Sequence, residues 1–257
     1  MSDNPYESPS ADGKLSIEKT PARGAGLIRW LVVGAILMVL VSLLLPARRT
    51  ATVAARRNTC TNHLKQIAFA LLNYQEVYGS LPPAHTVDAA GKPLHSWRVL
   101  ILPFMEEAAL YDKIDLAKPW DDPANREAFE TTISGYECPS TDGPPAHTTY
   151  LAVATTGGCF QPGQPRKLDE IADGTSQTLM VVDVDSAHSV HWMSPQDAGD
   201  VWFEQFGASL DTQHPGGILA AFVDGHVSWI TETADQETLR ALTTVAGRDS
   251  EVLDPED

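Results

Sequence analysis

The sequence predicts an α+β fold in which a long N-terminal helix, first transmembrane and then amphipathic, packs on a mixed α/β head with an antiparallel sheet. Three observations predict it. An apolar run extends from Leu27 to Leu45, broken only by Arg29, Gly34 and Ser42. Apolar residues then recur at helical spacing from Val53 to Tyr78. Beyond residue 81, short β-rich runs alternate with turn residues. The domains expected are a disordered tail (1–24), a transmembrane helix (25–46), an amphipathic spine (47–80), a globular head (81–247) and an acidic C-terminal tail (248–257).

Each element has its own reason. As a helix, the apolar run rises roughly 28 Å, close to the roughly 30 Å of bilayer hydrocarbon, and a helix satisfies its own backbone groups there. Trp30 suits the interface. A cleaved signal peptide would need small residues after the apolar core, and Leu43-Leu44-Leu45-Pro46-Ala47-Arg48 lacks them at the paired positions. Past Pro46, where a kink is expected, Val53, Cys60, Leu64, Ile67, Leu71, Tyr74 and Tyr78 fall on one helical face. Gly79-Ser80-Leu81-Pro82-Pro83 ends that helix.

In the head, Asp122-Pro123 caps a short helix toward Phe129. Residues 148–154 and 178–184 are strand candidates. Residues 217–230 read as a hairpin with Asp224-Gly225 at a type I′ tip. Thr233 with Gln236 reads as a capping box for a helix through Leu239, Leu242 and Val245, closed by Gly247.

Charge excludes one class of partner. Residues 1–50 carry six Lys and Arg against four Asp and Glu, so the net charge of −16 becomes −18 over the remainder. That field repels phosphate backbones, and nucleic acid is not an expected partner. Around the apolar run, Lys14, Lys19 and Arg23 precede it while Arg48, Arg49, Arg56 and Arg57 follow. Taken alone, that count favours a cytoplasmic head.

Several separated motifs then occur in order: Leu43-Leu44-Leu45-Pro46-Ala47, Ala54-Ala55-Arg56-Arg57-Asn58-Thr59-Cys60, Tyr78-Gly79-Ser80-Leu81-Pro82-Pro83, Ser96-Trp97-Arg98-Val99-Leu100, Pro119-Trp120-Asp121, Cys138-Pro139-Ser140 and Asp173-Gly174-Thr175-Ser176. His214 is followed by nine residues and then Asp224-Gly225. In these features the chain resembles a bacterial pilin-like (pseudopilin-like) family of poorly defined role, which has a prepilin-type N-terminal helix and a C-terminal His-X9-Asp-Gly signature. The resemblance implies an inner-membrane, single-pass protein with a cytoplasmic N-terminus and an exported head. Where that family carries a glutamate after its peptidase glycine, this chain has Gly24-Ala25-Gly26-Leu27-Ile28-Arg29. A cation at Arg29 repels a freed amino terminus, so the chain is expected to stay uncleaved. In the exported compartment Cys60 and Cys138 are disulfide candidates with Cys159 spare; buried reduced thiols are the alternative.

Candidate chemistry gathers Asp183, Asp185, His188, His191, His214, Asp224 and His226. Asp183, Asp185, His188 and His191 are the metal-ligand candidates, since imidazole and carboxylate suit divalent ions. No His-Glu-x-x-His, four-cysteine set or calcium loop organises them. His214, just before Pro215-Gly216-Gly217, is expected to hydrogen-bond the backbone and fix the start of the hairpin; with Asp224 and Gly225 it forms the family motif. Trp97, Trp120, Trp192, Trp202 and Trp229 are candidates for sugar stacking, though tryptophan is commonly core. No catalytic residue and no cofactor is expected. The expected function is a non-enzymatic envelope protein whose partners are the lipid bilayer and envelope or secretion-apparatus proteins. A calcium- or carbohydrate-binding head is the alternative reading, and a metal-dependent hydrolase the second alternative.

Overall fold

The structure, a computed structural model, describes residues 25–206 and 212–247, with side chains for 29–39, 53–206 and 212–247. The tails expected at 1–24 and 248–257 lie outside the described residues. Two compact units are present, Met1–Thr50 and Ala51–Asp257.

Helix α1 (Ala25–Tyr78) belongs to both units. In the first, residues 30–39 bear exposed apolar side chains such as Trp30, Leu31 and Met38. Among the described residues, however, no helix is long and apolar enough to cross a membrane. This corrects the transmembrane part of the expected fold. The apolar side chains described there span about ten residues, ~15 Å of helix rise against the roughly 30 Å of bilayer hydrocarbon. The side chains of 40–46, the rest of the expected span, lie outside the described residues.

In the second unit, the α1 stripe of Cys60, Leu64, Ile67, Ala68 and Leu71 is fully buried. Gly79, at φ +78°, ends the helix, and its N–H donates to the Gln75 carbonyl. The chain continues through β1 (His85–Val87) and β2 (Pro93–Ser96), an antiparallel pair, then α2 (Trp97–Leu100), α3 (Ala108–Tyr111) and α4 (Arg126–Phe129). Asp122 caps the 3₁₀ turn that leads into α4, its carboxylate accepting the Ala124 N–H. Next come β3 (His147–Thr148), β4 (Tyr150–Ala152), β5 (Leu179–Asp183), β6 (Val190–His191), α5 (Asp200–Gln205), β7 (Gly217–Phe222), β8 (Val227–Thr231) and α6 (Gln236–Thr243).

The main sheet is antiparallel with order β4-β5-β7-β8, and β3 pairs with β6. It is covered on both faces. Along β7, Leu219 and Ala221 join the core that contains the α1 stripe, while Ile218, Ala220 and Phe222 join a second core with α5 and α6. This alternation is the two-residue period of a strand buried on both sides. Gly217 begins β7 because a Cβ there would strike the Ile230 carbonyl and the Trp229 ring.

Two local expectations are revised. The β7–β8 tip has a positive φ at Gly225 alone, with Gly225 N–H donating to Phe222 O at 2.9 Å and Phe222 N–H to His226 O at 2.9 Å. It is a type I turn closed by a left-handed glycine, in place of the type I′ turn, which needs two positive φ values. Helix α6 is capped by Asp235, whose carboxylate accepts the Thr238 N–H at 2.7 Å, while the Thr233 hydroxyl turns to Thr231.

Candidate functional site: a buried cluster of two cysteines, an aspartate and a histidine

Four buried side chains from distant parts of the second unit converge. Cys60 lies on the α1 stripe and Cys138 follows the 3₁₀ turn Ser134–Tyr136. Asp183 ends β5, and His214 precedes β7. Their ligand atoms (two Sγ, a carboxylate oxygen and an imidazole nitrogen) all lie within 4.8 Å of one another. Among the described residues this is the group of three or more His, Cys, Asp or Glu close enough to hold an ion.

The surrounding contacts orient the four. Thr149 Oγ1 donates to Asp183 Oδ1 at 2.5 Å, leaving Oδ2 to face His214 Nε2 at 3.2 Å. His214 is 3% exposed and Asp183 0%. The His214 carbonyl accepts from Thr212 Oγ1 and from the Gly217 N–H, which fixes the loop before β7. The imidazole therefore turns to a carboxylate, and it is the main-chain carbonyl that secures the start of the hairpin.

The protonation balance is lopsided. Burial pulls His214 down, but its hydrogen bonds to Asp183 and Cys138 outweigh that and raise its pKa to about 9. A hydrogen bond with Cys138 draws the Cys60 thiol below its ordinary value against the effect of burial, helped by the Tyr150 hydroxyl and the Ser140 backbone. Cys138 is correspondingly pushed up. Tyr150 is fully buried and its hydroxyl has no hydrogen-bond partner within ordinary distance, although it bears on Cys60. Cys159 stands apart, bonded to Leu179 O at 3.1 Å and pushed by burial up to about 12.

The other candidates are placed elsewhere. Asp185 caps the 3₁₀ turn Ser186–His188, accepting the Ala187 N–H at 2.8 Å, and pairs with His188 Nδ1 at 2.6 Å. His191 stacks on Phe129 at 4.1 Å, donates from Nε2 to Phe129 O and accepts the Met193 N–H at Nδ1. Both ring nitrogens are used. Asp224 accepts the His226 N–H and pairs with the His226 ring at 2.6 Å, and its own N–H reaches Thr175 O. His214 and Asp224-Gly225 therefore sit at opposite ends of β7.

Trp97, Trp192 and Trp202 are buried. The half-buried Trp229 has Arg57 over its ring at 3.7 Å, and Trp120 stacks on Phe129. Both of the latter rings are thus engaged within the fold.

Sequence reasoning takes Cys60 and Cys138 as disulfide candidates or buried reduced thiols and the Asp and His residues as a separate set, so it misses that one site draws on both. The signal available was the pairing of motifs, Cys138-Pro139-Ser140 with His-X9-Asp-Gly. A second buried centre was missed altogether. Arg98, 0% exposed, donates to Asp197 Oδ1 at 2.7 Å, Tyr150 O, Ser96 Oγ, Ser194 O and Gln196 O.

Residues 49–211 match the sequence model of a family described as a protein of unknown function (DUF1559). No curated protein matches the chain. No solved structure does so either.

Proposed function

Because the chain belongs to the DUF1559 family, whose function is unknown, its role is read from its own residues, and we propose that it is a non-enzymatic, pseudopilin-like structural protein of the cell envelope. Its head works by interaction. One observation carries the non-enzymatic part: the most reactive set of side chains, Cys60, Cys138, Asp183 and His214, is sealed in the core. A general base must come within hydrogen-bond reach of its substrate. His188 and His226 are each held by a neighbouring carboxylate, and His191 spends both nitrogens on the backbone. The envelope setting rests on the motif resemblance, and the acidic balance beyond residue 50 favours a basic partner surface.

The test assays the full-length chain against chromogenic ester, phosphoester and glycoside substrates, with and without added divalent ions, beside His214→Gln and Asp183→Asn. The expected result is no turnover in any of the three and a lowered thermal midpoint in both variants. Turnover by the parent chain that disappears in His214→Gln at an unchanged midpoint would overturn the reading.

A further inference from the structure

We propose that Cys60, Cys138, Asp183 and His214 are the four ligands of a structural, zinc-class metal ion. This stands independently of the non-enzymatic reading, because it rests on donor atoms and their spacing. Two sulfurs, one imidazole nitrogen and one carboxylate oxygen form a borderline-soft set that suits Zn²⁺; Ca²⁺ and Mg²⁺ need a shell of oxygens.

The spacing fits as well. With bonds of about 2.0–2.1 Å to nitrogen and oxygen, a tetrahedral N–O edge is ~3.3 Å, and two thiolates at about 2.3 Å stand ~3.8 Å apart. The His214 Nε2 to Asp183 Oδ2 distance is 3.2 Å, and all four atoms lie within 4.8 Å. A charge-assisted N–H···O bond prefers about 2.7–2.9 Å, so the pair is spaced more like two ligands of one ion than like a tight ion pair.

The next layer of contacts agrees. Thr149 holds Asp183 by one oxygen and leaves the other for the ion. The Tyr150 hydroxyl neighbours Cys60. The fully buried Tyr150 hydroxyl otherwise lacks a partner. Donors to bound thiolate and acceptors that orient metal ligands are the usual supporting set. A small cavity of about 40 Å³, lined in part by Cys138, Thr141, His147 and Thr149, lies beside the buried cluster.

A Cys60–Cys138 disulfide is the competing state. It would use the two sulfurs, leave the His214–Asp183 geometry unexplained and remove the thiolate that Tyr150 faces. On metal binding, the two thiols and the His214 Nε2 position give up their protons to solvent, four metal–ligand bonds form, and the ion keeps its oxidation state. Three anionic ligands and one neutral imidazole around a dication leave a net charge of −1, which the Thr149 and Tyr150 hydroxyls are placed to stabilise. With all four positions taken by protein, the site is closed, as structural zinc sites are.

The deciding experiment takes the reduced, chelator-treated full-length chain and titrates it with Co²⁺ and then Zn²⁺. The expected result is one ion per chain, with intense tetrahedral Co²⁺ bands and a thiolate-to-cobalt charge-transfer band that Zn²⁺ abolishes. Cys60→Ser and Cys138→Ser each weaken the charge-transfer band, whereas Cys159→Ser leaves it unchanged. Thr149→Val keeps a nearly isosteric side chain, replaces no ligand, removes the hydroxyl that orients Asp183, and lowers Zn²⁺ affinity about 10–100-fold. The proposal is overturned if the reduced chain takes up neither ion, if Co²⁺ binds with an octahedral spectrum, or if Cys159→Ser and Cys60→Ser behave alike. Turnover in the enzymatic assay would overturn the non-enzymatic reading while leaving these metal readouts intact.

Discussion

The second unit holds two buried polar centres, and they differ in what they leave unfinished. Around Arg98 all five guanidinium N–H groups meet an oxygen, and Asp197 Oδ1 also accepts from Trp97 and from the Ala152 N–H, while Asp197 Oδ2 is buried without a partner. Around Cys60, Cys138, Asp183 and His214 four potential ligand atoms crowd within 4.8 Å of one another, and the neighbouring Tyr150 hydroxyl lacks a partner. A centre built around its own cation locks a fold, whereas metal-ligand atoms gathered in the interior without one call for a cation.

Substitutions that act on one centre at a time break or sharpen that contrast. The largest effect is expected from Arg98→Met, which leaves Asp197 as an uncompensated buried charge. Urea unfolding of the full-length chain should show a loss of about 3–5 kcal/mol, whether or not metal is supplied. A loss that varied with metal would merge the two centres into one.

Next is Gly217→Ala, which drives a Cβ into the Ile230 carbonyl and the Trp229 ring beside the loop that carries His214. It is expected to cost about 1–3 kcal/mol in the same measurement and to weaken Co²⁺ binding without touching a ligand. Undisturbed metal binding at reduced stability would show that the loop holds His214 independently of β7.

Tyr150→Phe should be smaller and conditional. In the metal-free reduced chain it removes an unpartnered buried hydroxyl and is neutral or slightly stabilising. With zinc bound it loses a donor to thiolate and costs about 1 kcal/mol, read as a difference in thermal midpoints.

The gentlest probe is pH. Burial holds His85, His95 and His191 below the ordinary 6.5. At these three sites the unfolded chain therefore binds more protons than the folded one just below that value, so their contribution is complete above pH 6.5 and is lost as pH falls through the window beneath it, whereas the raised His214 contributes fully below 6.5 and its share is lost as pH rises toward about 9 in the metal-free chain. His95 donates from Nε2 to Lys118 O at 2.7 Å, and its Nδ1 is buried without a partner. His95→Gln, which can keep the donor, is expected to flatten part of the decline. An unchanged acid profile in that variant would assign the effect to the other two histidines.

Local chemistry accounts for what could be foreseen. The stripe Cys60, Leu64, Ile67 and Leu71, the Gly79 stop, the Asp122 cap and the 217–230 hairpin each depend on residues within a few positions of one another. The stripe runs out of cover at both ends, where Val53 and Tyr78 are 55% and 61% exposed even though the Tyr78 ring still meets Tyr74 and Phe104. At α6 two residues offered the same three-residue reach, and the Asp235 carboxylate is a stronger acceptor than the Thr233 hydroxyl. At the hairpin tip, Asp224 keeps a negative φ because its side chain is committed to the His226 N–H. The cluster could not be foreseen from spacing, since its ligands come from a helix, a loop, the end of a strand and the loop before another. Arg98 and Asp197 meet across 99 positions for the same reason.

His214 and Asp224 bracket β7 as two pins bracket a gauge. One pin engages Asp183 through its ring, and the other engages Thr175 through its amide. Deleting a single residue between them would pull one pin from its socket and turn Leu219 and Ala221 toward the opposite layer, because side chains change sides at every step of a strand. Gly217 apart, the nine intervening positions therefore tolerate changes of identity more readily than a change of number.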